Sequence, residues 1–167
     1  MRAAAALVLA IGASLPAFAC GDGSTTSQSD QGEALSKQDF IAKADAICRR
    51  FNARIAPLEA KFNALQRQGL SGARLSEGAD LLRQDATLAQ QEGSELRELQ
   101  PPAVDADTIE RWLTSGQATA LVANQIADAF ESGDSEAIST FSKALNTQGG
   151  KTDKIVEGYG FDVCSQG

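Results

Sequence analysis

Leu35-Ser36-Lys37-Gln38-Asp39-Phe40-Ile41-Ala42-Lys43-Ala44-Asp45-Ala46-Ile47-Cys48 is the stretch on which the fold turns. Ser36 reads as a helix N-cap and Asp39 as a shortened capping-box partner, while Leu35 and Phe40 occupy the two positions of a hydrophobic staple. Apolar residues then recur at Phe40, Ala44, Ile47, Phe51, Ile55, Leu58, Phe62 and Leu65, spaced by three and four, which predicts one long amphipathic helix. Pro57 lies inside it. An interior proline removes one backbone hydrogen bond and crowds the preceding turn, so a kink is expected between Ala53 and Leu58, with the stripe kept in phase.

Downstream, Gln68-Gly69-Leu70-Ser71-Gly72 reads as a turn, and Leu75, Ala79, Leu82, Ala86, Ala89, Gly93 and Leu96 repeat the same spacing in a second helix. Gln100-Pro101-Pro102 ends it. A third helix is expected from Asp105, read as its N-cap with Val104 and Ile109 as a staple, through Trp112, Leu113, Gly116, Ala120, Ala123, Ile126 and Phe130. Ser132-Gly133-Asp134 separates it from a fourth helix, capped by Asp134 and carrying Ile138, Phe141, Leu145, Ile155, Val156 and Tyr159. Gly149-Gly150 weakens that helix by about 1 kcal/mol per glycine relative to alanine. Short connections leave no room for crossovers, and no segment alternates with period two. The expected fold class is therefore all-α, an up-down-up-down antiparallel four-helix bundle.

Upstream, Met1-Arg2, the apolar run Ala3 to Leu15 and the small-x-small site Ala17-Phe18-Ala19 before Cys20 read as an export signal over residues 1–19. Residues 20–34 are rich in Gly, Ser and Thr and read as a flexible tether, and 35–167 as the bundle domain. With Cys20 directly after the cut, the start of the chain resembles bacterial lipoproteins, in which that cysteine is lipidated. The same site suits ordinary signal peptidase, leaving free secretion as the alternative.

An exported protein with three cysteines is expected to hold one disulfide. With Cys20 committed to the N-terminus, Cys48 and Cys164 form the predicted pair, which the expected topology brings together. Reduction is then expected to loosen residues 149–164 before the rest.

Leu35 to Cys48, the Pro101-Pro102 pair before Arg111-Trp112-Leu113, and the terminal Gly160-Phe161-Asp162-Val163-Cys164 together resemble a family of small uncharacterised bacterial lipoproteins. The resemblance implies a helical, disulfide-linked domain and carries no activity with it.

Composition narrows the function. The chain has no histidine, which removes the common hydrolase triads and His-containing metal sites. Without residues 1–19, 14 basic residues face 22 acidic ones, so nucleic acid is not an expected partner. Gly150-Lys151-Thr152 lacks the earlier glycine of a phosphate loop, and Asp105, Asp107 and Glu110 lack the glycine of a calcium loop; capping explains these acids better. Asp85, Glu92, Glu95 and Glu98 flank the second helix's apolar stripe and read as a solvated edge. Trp112 reads as a core anchor. The small residues Ala44, Ala79, Ala86, Ala89, Gly93, Gly116, Ala120 and Ala123 either let helices approach closely or leave a groove.

The expected function is that of an exported, membrane-tethered, non-enzymatic binding or interaction lipoprotein, without cofactor or metal. Its partners would be the membrane, through Cys20, and an unidentified protein. Alternatives are carriage of a small apolar ligand within the bundle, or an enzyme working with carboxylates around Asp85, Glu92 and Glu95.

Overall fold

The computed structural model describes residues 34–166. Within them the chain forms α1 (Lys37–Gln68), α2 (Ala73–Arg97), α3 (Ala106–Ser132), α4 (Ser135–Tyr159) and a 3-10 turn (Cys164–Gln166), with no strand. The expected export signal, nearly all of the expected tether and Cys20 lie outside the described residues.

The helix boundaries follow local chemistry. Ser36 Oγ accepts from the Asp39 N–H at 3.1 Å, and its hydroxyl donates to Asp39 Oδ2 at 2.6 Å. Asp39 is one methylene shorter than the usual glutamate, so it pairs with the cap hydroxyl. The Leu35 N–H donates to Gln100 O, which ties the start of α1 to the connection after α2. α1 runs through Pro57 as one helix. α4 is likewise continuous through Gly149 and Gly150. Asp134 Oδ1 accepts from the N–H groups of Glu136 and Ala137, capping α4 as expected.

The start of α3 departs from expectation. Asp105 stands at the N-cap position but its carboxylate makes no capping bond there. Instead Asp105 Oδ2 accepts from the Tyr159 hydroxyl at 2.9 Å. Val104 is 92% exposed, so no staple forms with Ile109. The Asp105 backbone is already helical, at φ −106° and ψ −7°, unlike the extended backbone of the capping Ser36, and its carboxylate turns to the end of α4 instead.

Consecutive helices pack on one another, whereas no Cα of α1 lies within 8 Å of one in α4. Bonded side chains run in opposite senses along neighbouring helices: Arg50 pairs with Glu95 and Arg54 with Gln91, while Arg83 reaches Asp128 and Arg97 reaches Gln117. The core divides along the bundle. At one end Phe62 stacks on Phe130 at 6.1 Å, beside Ala79, Ile126 and Ala127. At the other, Phe40, Ala44 and Cys48 of α1 meet Leu96, Trp112, Val156, Tyr159 and Phe161.

The C-terminal tail joins α1 to α4. Gly160 ends α4 at φ 100°, a left-handed conformation costly for any residue with a Cβ, and this turns the tail away from the helix axis. Phe161 then packs 4.6 Å from the Trp112 ring and 4.9 Å from the Tyr159 ring. The Cys48–Cys164 disulfide follows, with Cα atoms 5.3 Å apart. Asp45, only 6% exposed, completes the attachment. Its carboxylate accepts three backbone N–H groups, from Asp162 at 3.1 Å, Val163 at 2.9 Å and Cys164 at 3.0 Å.

Candidate functional site

Because α1 and α4 stand apart, a cavity of about 440 Å³ opens between them above the α2–α3 pair. Leu96, Trp112, Leu113, Val156 and the Cys48–Cys164 disulfide supply its apolar surface. Asn52, Glu92, Arg97, Gln117, Thr152 and Asp153 supply its polar groups. Trp112 is therefore both core anchor and cavity wall.

The small residues split between the two roles that sequence left open. Ala44, Ala79, Ala86, Ala120 and Ala123 are buried and let helices approach closely. Ala89, Gly93 and Gly116 line the cavity instead, and a Cβ added at Gly116 would meet nothing within 4 Å. Nearby, Ser115 Oγ lies 2.8 Å from Thr152 Oγ1 and accepts from Gln148 Nε2 at 2.9 Å, a polar bridge that fixes α4 on α3 below the rim.

The four acids of α2 have separate fates. Glu98 is exposed, and Glu95 pairs with Arg50. Glu92 is half-buried, lines the cavity and has no ion-pair partner among the described residues. Burial first, then the charges of Asp85 and Glu95, push its carboxyl up to about 7. Asp85 is also half-buried and raised, by burial and then by Glu59, but does not line the cavity. The solvated-edge reading thus fails for Glu92, which faces the space between α1 and α4, and for Asp85, which is half-buried toward Glu59 of α1.

A carboxyl raised in the folded state favours folding below its unfolded value near 4.5, and that contribution is lost as pH rises through about 7. Glu92→Gln removes the ionisable group. The variant is expected to be more stable than the native protein at pH 8, by on the order of 1–2 kcal/mol after solvent screening, with the difference closing below pH 5. Urea unfolding at the two pH values measures this, and equal differences would place Glu92 in ordinary solvent.

The remaining candidates resolve simply. Gly149, Gly150, Lys151 and Thr152 are helical, so they form no phosphate loop. Asp105 is taken by Tyr159, and no cluster of three or more His, Cys, Asp or Glu fit to hold a metal occurs among the described residues. Asn52, one turn beyond Cys48, could have been read from sequence as cavity-facing. Gln117 gave no such signal, and nor did Asp45 as acceptor of the tail amides.

The disulfide indicates an oxidising, extracytoplasmic location. No helix among the described residues is long and apolar enough to cross a membrane. No protein-family model, curated protein or solved structure matches the chain.

Proposed function

We propose that this is a membrane-tethered, non-enzymatic binding lipoprotein that takes a small amphiphilic molecule, with an apolar body and a cationic head, into the cavity between α1 and α4. The carrying observation is the meeting, in one space of about 440 Å³, of an apolar floor and the unpaired, half-buried Glu92. The volume falls within the range typical of ligand cavities, about 300–1,000 Å³, and polar side chains line it beside the apolar floor. Glu92 is held partly away from water without a counter-charge, which costs free energy that a bound ammonium would recover. Arg97, the one lining cation, is occupied with Gly93 O and Gln117 Oε1. An acid–base enzyme would need a second tuned group beside Glu92, and Asp85 lies off the cavity wall. A lipid on Cys20 would let the domain sample molecules leaving the membrane surface.

The test is calorimetric titration at pH 8 with decylamine, decanol and decanoate. Decylamine is expected to bind at least 10-fold more tightly than decanoate. Glu92→Gln should erase that preference while keeping decanol binding, and Gly116→Leu, which fills the cavity, should abolish all three. Absence of saturable binding, or tighter binding of decanoate, would overturn the proposal.

A further inference from the structure

At the end of the bundle where α1 begins, a second concavity of about 440 Å³ gathers Lys37 from α1, Arg111 and Thr108 from α3, and Lys154 beside Tyr159 from α4. Three helices thus deliver three cations to one place in a chain whose net charge is −7. None of the three forms an ion pair among the described residues, whose salt bridges involve only Arg50 and Arg83. The one carboxylate lining the space, Asp105, accepts from the Tyr159 hydroxyl at 2.9 Å.

Two of the cations are also positioned. The Arg111 guanidinium donates to Thr108 Oγ1 at 3.1 Å, and Lys37 Nζ stands 4.2 Å from the centre of the Tyr159 ring. The ring itself is fixed through its hydroxyl. Three like charges gathered around a single carboxylate repel, and a bound anion would relieve that repulsion. With three cations against one acid, the lining is formally +2, which matches a phosphate group. A guanidinium fork and two ammonium groups suit its geometry: the fork can take two oxygens side by side, and each ammonium acts as a compact point charge.

We infer that this end of the bundle is a binding site for a phosphate group, formed by Lys37, Arg111 and Lys154. It is separate from the Glu92 cavity, of opposite charge, and lies beside the first turn of α1. The phosphate could be carried by a soluble phosphomonoester or by an anionic lipid headgroup.

The experiment uses the folded, disulfide-bonded protein with three probes: glycerol phosphate, vesicles of phosphatidylcholine, and vesicles of phosphatidylcholine containing phosphatidylglycerol. Saturable binding of glycerol phosphate, or retention on the phosphatidylglycerol vesicles only, is expected. The first outcome alone identifies a soluble ligand; the second, competed by glycerol phosphate, identifies a headgroup. Arg111→Gln with Lys154→Gln should weaken either by at least 10-fold. The control pair Lys143→Gln with Lys151→Gln removes the same charge from exposed positions of α4 that do not line the site, and should change it less than 2-fold. All four positions are exposed, so circular dichroism should show every variant folded. Glu92→Gln should leave phosphate binding intact, so failure here and failure of the amphiphile proposal are distinguishable. No binding to any probe, or equal losses in the two double variants, would overturn the inference.

Discussion

Replacing Cys48 and Cys164 together by alanine is expected to lower the stability of the domain by about 4–5 kcal/mol. The link spans 116 residues, so its removal frees nearly the whole unfolded helical domain, and chain-entropy estimates for such a loop give that value. A typical domain holds only about 5–15 kcal/mol in total, so the melting temperature should fall by roughly 10–20 °C. The double variant should nonetheless fold at low temperature. Sequence alone led to the expectation that reduction loosens residues 149–164 first, but the structure adds a second attachment. Phe161 stays packed among Phe40, Trp112 and Tyr159, and Asp45 still accepts the three tail amides. Protection of the amides of residues 162–164 should therefore fall in step with global stability, and not before it. Denaturant unfolding and hydrogen exchange measure the two quantities. A loss below about 1 kcal/mol, or selective exchange of the tail in a stable variant, would contradict this division of labour.

Asp45→Ala is expected to cost about 3 kcal/mol. The substitution removes a buried carboxylate that accepts three N–H groups, and hydrogen bonds to charged acceptors contribute about 1.5–3 kcal/mol each before the freed amides regain water. Asp45→Asn should cost about half as much. Its carbonyl oxygen can replace Oδ1, which serves Val163 and Cys164, but its amide nitrogen would face the Asp162 N–H with a donor. Here the exchange pattern should be local: amides 162–164 lose protection while the centres of α2 and α3 keep theirs. Because the disulfide and Asp45 hold the same tail, their effects should be coupled, and a double-mutant cycle should give an interaction term of about 0.5–3 kcal/mol. An alanine variant within 0.5 kcal/mol of the native protein would show that water replaces the carboxylate without penalty.

These two attachments differ in how much of them sequence revealed. The disulfide followed from cysteine parity and the predicted placement of the tail beside α1, and its Cα atoms lie 5.3 Å apart, within the range a disulfide spans. Asp45 gave no such signal. Between Ala44 and Ala46 it occupies a helical position where a carboxylate ordinarily meets water, and the amides it serves lie 117 to 119 residues away.

The same boundary runs through the candidate sites. Glu92 was visible as a member of an acidic series at helical spacing, but spacing cannot say whether that edge faces solvent or a gap between helices. Lys37, Arg111 and Lys154 are ordinary surface cations in sequence and become a cluster only where the ends of α1, α3 and α4 meet.

By itself the sequence determined the four helices, the caps of α1 and α4 and the cysteine pairing, because each depends on contacts within about four residues or on chemistry intrinsic to a residue type. The tertiary structure alone decided that α1 and α4 stand apart, that Ala89, Gly93 and Gly116 border a cavity while Ala79 and Ala86 are packed shut, and that Asp105 serves Tyr159 and not its own helix. Those outcomes depend on the spacing and rotation of whole helices, set by the sum of all side chains between them. No local pattern encodes that sum, and a change of an ångström or two separates a closed seam from a cavity.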